Sequence, residues 1–92
     1  MNFRLAFFLA SPIIFFSFLI AQNTYVPDDQ FENSLIELGY DDVLDDYVLT
    51  ENISGVTYLD LFDKGISDLT GIEDFAVLVG LNVSYNQLTS LD

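Results

Sequence analysis

The chain has 92 residues, room for one small domain, and carries 15 acidic against 2 basic side chains, a net charge of −13, with no Cys, His or Trp. Without Cys there are no disulfides, thiol nucleophiles or Cys-held metals, and without His the side chain best suited to proton transfer near neutral pH is missing. The acidity also argues against nucleic acid, because phosphates call for a cationic surface.

Residues 1–21 read "MNFRLAFFLASPIIFFSFLIA". Arg4 supplies a short positive start, the run from Leu5 to Ile20 is uncharged, and Ala21 is a small residue suited to a cleavage site. This is the layout of a secretory signal peptide, cut after Ala21, and it predicts a secreted or cell-surface protein. The competing reading is a retained anchor, but a spanning helix wants about 20 apolar residues, and this shorter run is interrupted by Pro12. Once the signal is removed, no membrane contact is expected. Lys64 is then the only cation against 15 acids, a net charge of −14. Self-repulsion of that size opposes compaction and favours solubility.

"QNTYVP", residues 22–27, reads as an extended lead-in. The next stretch predicts a capping helix over 28–38, with Phe31, Leu35 and Leu38 on one stripe. Asp28 is placed to cap it, Asp29 and Glu32 put negative charge in its first turn, and Gly39 ends it. Such a short helix needs an apolar surface to cover. Residues 40–50, "YDDVLDDYVLT", read as a turn-rich segment with its apolar members toward the helix and its acids toward water. Asn52-Ile53-Ser54 is a glycosylation sequon, which matters only in a glycosylating host.

From residue 56 the chain repeats itself. When Val56 is laid on Leu78, the same shift lays Leu59 on Leu81, Leu61 on Val83, Ile66 on Leu88 and Leu69 on Leu91. Leu59-x-Leu61 and Leu81-x-Val83 have the strand period of two. Ile66, Leu69, Ile72, Phe75 and Leu78 recur every three, which suits 3₁₀ or extended turns. The same spacing runs backward from Val56 through Ile53, Tyr47 and Leu44, so that residues 44–55 read as a degenerate half-repeat inside a cap spanning 22–55. The expected architecture is an α/β solenoid: a signal helix, a short capping helix closing the open end, then coils over 56–92 whose short parallel strands lie side by side.

The run Leu78-x-x-Leu81-x-Val83-x-x-Asn86-x-Leu88-x-x-Leu91 resembles the leucine-rich repeat signature, and the 22-residue period resembles its internalin-like class. "VPDDQFENSLIELGYDD" followed by "NQLTSLD" is similar to secreted leucine-rich repeat proteins of the Bacteroidetes type. The resemblance implies an arc with strands on its concave face, used to bind protein or glycan. Asn86 matches the family's asparagine-ladder position, while Lys64 stands there in the first copy. Beside Asn86, the structural positions are Leu59, Leu61, Leu81 and Val83.

Outward strand positions are Tyr58, Asp60 and Phe62 in the first copy, and Gly80, Asn82 and Ser84 in the second. Tyr58, Asp60, Phe62, Asn82 and Ser84 are the ligand-binding candidates, because exposed aromatics beside an acid supply binding area. Ordinary cross-strand packing is the competing account. Asp41, Asp42, Asp45 and Asp46 offer oxygens for calcium but lack EF-hand spacing, so a solvated acidic turn is favoured and no metal or other cofactor is expected. Two-carboxylate catalysis around Asp60 would need a cleft that nothing in the sequence predicts, so a non-catalytic binding module is the leading expectation. A region that presents a downstream domain, or an acidic calcium-binding module, are the alternatives. Coils need neighbours, so further repeats beyond Asp92 are expected.

Overall fold

In the computed structural model, which describes residues 22–89, the chain opens on strand β1 (Asn23–Tyr25). The signal-peptide reading of residues 1–21 and the repeat position Leu91 lie outside the described residues. β1 is more than a lead-in: it pairs antiparallel with β2 (Tyr47–Leu49), Thr24 opposite Val48. Thr24 and Val48 are the inward residue of each strand. The Thr24 hydroxyl lies 2.7 Å from that of Thr50 and donates to Asp74 Oδ2 at 2.9 Å, which ties the strand pair to the first repeat. Gly71 allows this closeness. It sits at φ +108°, and a Cβ there would stand 2.7 Å from the Tyr25 carbonyl oxygen.

Helix α1 runs Asp29–Glu37. Asp28 Oδ1 accepts the N–H groups of Gln30 and Phe31 at 2.9 and 3.1 Å, satisfying donors that a helix start leaves open. Its Oδ2 accepts the N–H groups of Ser67 and Asp68 at 2.9 and 3.0 Å. One carboxylate therefore starts the helix and fastens it to the first repeat. Phe31 and Leu35 are buried, and the Phe31 ring stacks 6.3 Å from that of Phe75. Leu38 departs from the expected stripe and is 47% exposed. The helix ends at Glu37, and the chain reverses through Gly39 at φ +89°, so no further turn carries Leu38 over the core.

The segment after α1 also differs from expectation. Val43, Leu44, Tyr47 and Leu49 are exposed instead of facing the helix. Residues 45 and 46 are held by their backbone N–H groups, and the alternation of β2 turns only Val48 inward. Of the proposed half-repeat, Ile53 and Val56 are buried while Leu44 and Tyr47 are not. This stretch is a strand followed by a single helical turn, α2 (Thr50–Ile53).

β3 (Tyr58–Asp60) and β4 (Gly80–Asn82) pair in parallel, with Leu59 opposite Leu81. The pairing continues as Leu61 N–H donates to Asn82 O at 2.7 Å and Asp63 N–H to Ser84 O at 2.9 Å. Asp63 and Tyr85, one repeat apart, both adopt the left-handed region, at φ +56° and +64°. A 3₁₀ turn, Ile72–Asp74, lies between the strands. Leu59, Leu61, Ile66, Leu69 and Phe75 join Phe31 and Leu35 in one core. No described helix is long and apolar enough to cross a membrane.

Candidate interaction face

Alternation along β3 buries Leu59 and turns Tyr58 and Asp60 outward, with Phe62 following just beyond the strand end. Tyr58 is 56% and Phe62 46% exposed. The Tyr58 ring lies across Gly80 of the neighbouring strand, where a Cβ would meet ring carbon Cδ1 at 2.6 Å. Glycine at that repeat position is what seats the ring. The Phe62 ring lies 5.2 Å from that of Tyr85, tilted by 41°. Tyr85, 78% exposed, is absent from the residues the sequence singles out. It lies on the turn after β4, outside the strand alternation used to pick outward positions.

Asp60 and Asn82, at equivalent positions of the two repeats, do the same local work. Asp60 Oδ1 accepts the Phe62 N–H at 3.1 Å, and Asn82 Oδ1 accepts the Ser84 N–H at 3.0 Å. Each side chain shapes the turn that leaves its strand. Asp60 and Ser84 are exposed, whereas Asn82 is half-buried. A shallow groove of about 330 Å³ runs beside this face, lined by Ser34, Glu37, Leu38, Asp60, Phe62 and Lys64. The exposed Leu38 forms part of it. Lys64 Nζ lies 3.4 Å from Glu37 Oε1, both side chains largely solvated, so the pair contributes little to stability.

Asn86 bridges the two repeats. Its Oδ1 accepts the N–H groups of Lys64 and Ile66 at 3.0 and 2.9 Å. Its Nδ2 donates to the carbonyls of Leu61 and Val83 at 2.6 and 3.0 Å. A side-chain amide is needed, because the loop presents both donors and acceptors. Lys64 takes no corresponding part toward the cap, and Asp28 holds that side of the first loop instead, through Ser67 and Asp68.

The acidic turn is brought against the helix. Glu32, Asp41 and Asp45 each place a carboxylate oxygen within 4.8 Å of the others. Asp42 and Asp46 are not in this group. Glu32 escapes sequence reading because its place in the first turn of α1 accounts for it as a dipole partner, yet it is fully buried. Its oxygens accept the N–H groups of Asp45 and Asp46 at 3.1 and 2.8 Å. Backbone donors thus already occupy it, and a gathering of acids does not by itself make a cation site. In the exposed loop, the Thr70 hydroxyl and N–H hold the Asp68 carboxyl below its usual range.

Two repeats in parallel register, an amide bridge between them and aromatics on the outward face are the features to set beside known proteins. No family model matches the chain. What likeness there is points to leucine-rich repeat proteins and nothing narrower. Over 70 residues, 76% of the chain, it is 33% identical to Internalin J of Listeria monocytogenes serotype 4b (strain F2365), and the match takes in 8% of that protein.

Proposed function

We propose that the chain is the cap and first coils of an exported, non-catalytic leucine-rich repeat arc, and that its strand face binds a protein through basic side chains. The observation that carries this reading is the aromatic face, with Tyr58 seated on Gly80, Phe62 paired with Tyr85, and Asp60 between them. Aromatic rings supply large, rigid contact area. A Lys or Arg side chain can lay its apolar stem on Phe62 and Leu38 and bring its charge to the ring faces, Asp60 and Glu37. Charge complementarity favours such a partner, since the described residues hold Lys64 as their only cation.

Export is favoured by the uncharged run from Leu5 to Ile20 and by the likeness to an internalin. Further repeats beyond β4 are favoured by exposure: Leu81 is 37% exposed, whereas Leu59, at the same repeat position, is sealed. A further coil would cover Leu81 as the second repeat covers Leu59.

Panning a random-peptide phage library on the immobilised full chain tests the binding reading. Enriched peptides are expected to carry Lys or Arg beside an apolar residue, and Phe62→Ala or Tyr58→Ala should weaken them by roughly 3- to 30-fold. Peptides that bind both variants as tightly as wild type would contradict it.

A further inference from the structure

The cap holds a cluster that the strand face does not use. Glu32 lies on the core side of α1 with no exposed surface, and the turn after the helix brings Asp41 and Asp45 against it. Most oxygens in the cluster have donors. The two of Glu32 accept from Asp45 and Asp46, Asp45 Oδ1 accepts the Tyr47 N–H at 3.0 Å, and Asp41 Oδ1 accepts the Asp42 N–H at 2.8 Å. Asp41 Oδ2 is left over. It is the one buried side-chain polar atom among the described residues with no hydrogen-bond partner.

An ionised carboxylate only accepts, so the carboxyls of Glu32 and Asp45, each with an oxygen within 4.8 Å of one of Asp41's, offer no donor to Asp41 Oδ2. Leaving a buried oxygen in that condition is costly, and a proton placed between two carboxylates converts their repulsion into a hydrogen bond. Among the described residues no cation neutralises the pair. Lys64, the only cation among the described residues, has its ammonium on Glu37. On the same helix Asp28 and Asp29 add negative charge, and Asp28 is engaged by N–H groups of the helix and of the first repeat. Tyr40, which leads into the turn, packs against the core, and the Tyr25 and Tyr47 rings of the strand pair face each other 5.5 Å apart.

We propose that Glu32 keeps its proton in the folded protein and donates it to the Asp41 carboxylate, and that this hydrogen bond locks the turn over residues 40–46 onto α1, so that the cap tightens in mildly acidic solution and loosens as the solution turns alkaline. Burial pushes the Glu32 carboxyl up from its ordinary 4.5 to about 7, and the neighbouring Asp41 carboxyl adds to the rise, against the opposing backbone N–H groups of Asp45 and Asp46. A carboxyl raised in the folded state gives stability that is fully present below its unfolded value of 4.5 and is lost as pH climbs through about 7. Release of the turn would reach the strand pair, because Val26 N–H donates to Asp46 O at 2.8 Å.

The test is a carboxyl-carbon NMR titration of the full chain labelled at glutamate, with thermal melts at pH 5.5 and pH 8. One glutamate resonance should titrate near pH 7, and it should be missing from Glu32→Gln. The wild-type Tm should fall by roughly 5–15 °C between the two pH values. That window lies above the range in which ordinary carboxylates ionise, so the fall should be at least halved in Glu32→Gln. Titration of every glutamate below pH 5.5 would overturn the proposal, as would an equal fall in Tm in the variant. The wild-type titration decides the matter even if the variant does not fold.

Discussion

Asn86 shows how much one side chain decides. It accepts two N–H groups of the first repeat and donates to one carbonyl in each repeat, so its loss strips partners from several loop groups at once. Asn86→Ala is expected to destabilise the chain by about 2–4 kcal/mol, because each abandoned buried group costs about 1–3 kcal/mol. Asn86→Asp separates the two halves of the amide. It keeps the acceptor for Lys64 and Ile66 but sets a second acceptor against the Leu61 and Val83 carbonyls. Urea unfolding should therefore rank wild type above both variants, and an Asp variant as stable as wild type would show that the donor half is idle. Asn86 is legible in the sequence because a repeat signature fixes its place. Glu32 and Tyr85 are not. Glu32 is buried through partners supplied by a turn distant in sequence, and Tyr85 owes its contact with Phe62 to a left-handed turn conformation that no periodicity reveals.

Among the elements, α1 is the one whose attachment rests most on a single group. Asp28 gives one oxygen to the helix start and the other to Ser67 and Asp68 of the first repeat. Removing a helix cap costs roughly 0.5–2 kcal/mol, and hydrogen bonds to a charged group contribute more than neutral ones. Asp28→Ala is thus expected to cost about 2–4 kcal/mol, read as a lower urea midpoint at unchanged slope. A loss below about 1 kcal/mol would mean that only the cap matters and the tether does not. The start and end of this helix are legible, since Asp28 and Gly39 are local signals. Its partners are not: β1 is a short strand with one inward side chain, too brief for a pattern, and its existence depends on β2, which the chain reaches only after α1 and the acidic turn. Leu44 and Tyr47 mislead for the same reason. Their spacing fits an inward column, but β2 pairing and the backbone hold on residues 45 and 46 turn them to solvent.

At the scale of the whole molecule, α1 and the β1–β2 pair lead into two repeats whose strands lie in parallel register, with aromatic rings on their outward face. The repeat is visible in the sequence because the same apolar positions must be buried in each copy, and apolar periodicity is the signal least dependent on context. Its second copy is the less covered: Leu81 is exposed and Val83 half-buried, while Leu59 and Leu61, at the same repeat positions, are sealed. The strongly negative charge does not choose among folds; it attracts cationic groups to the surface. Everything assigned to the strand face depends on β3 and β4 lying side by side one repeat apart, since that pairing seats Tyr58 on Gly80 and brings Phe62 to Tyr85. The most direct test is nuclear Overhauser spectroscopy on the full chain with leucine methyl labels. Cross-peaks should join Leu59 to Leu81, with the Leu61 amide close to Asn82. Absence of any Leu59–Leu81 contact, together with helical contacts between each residue and those one turn along through that stretch, would contradict the stacked-repeat account.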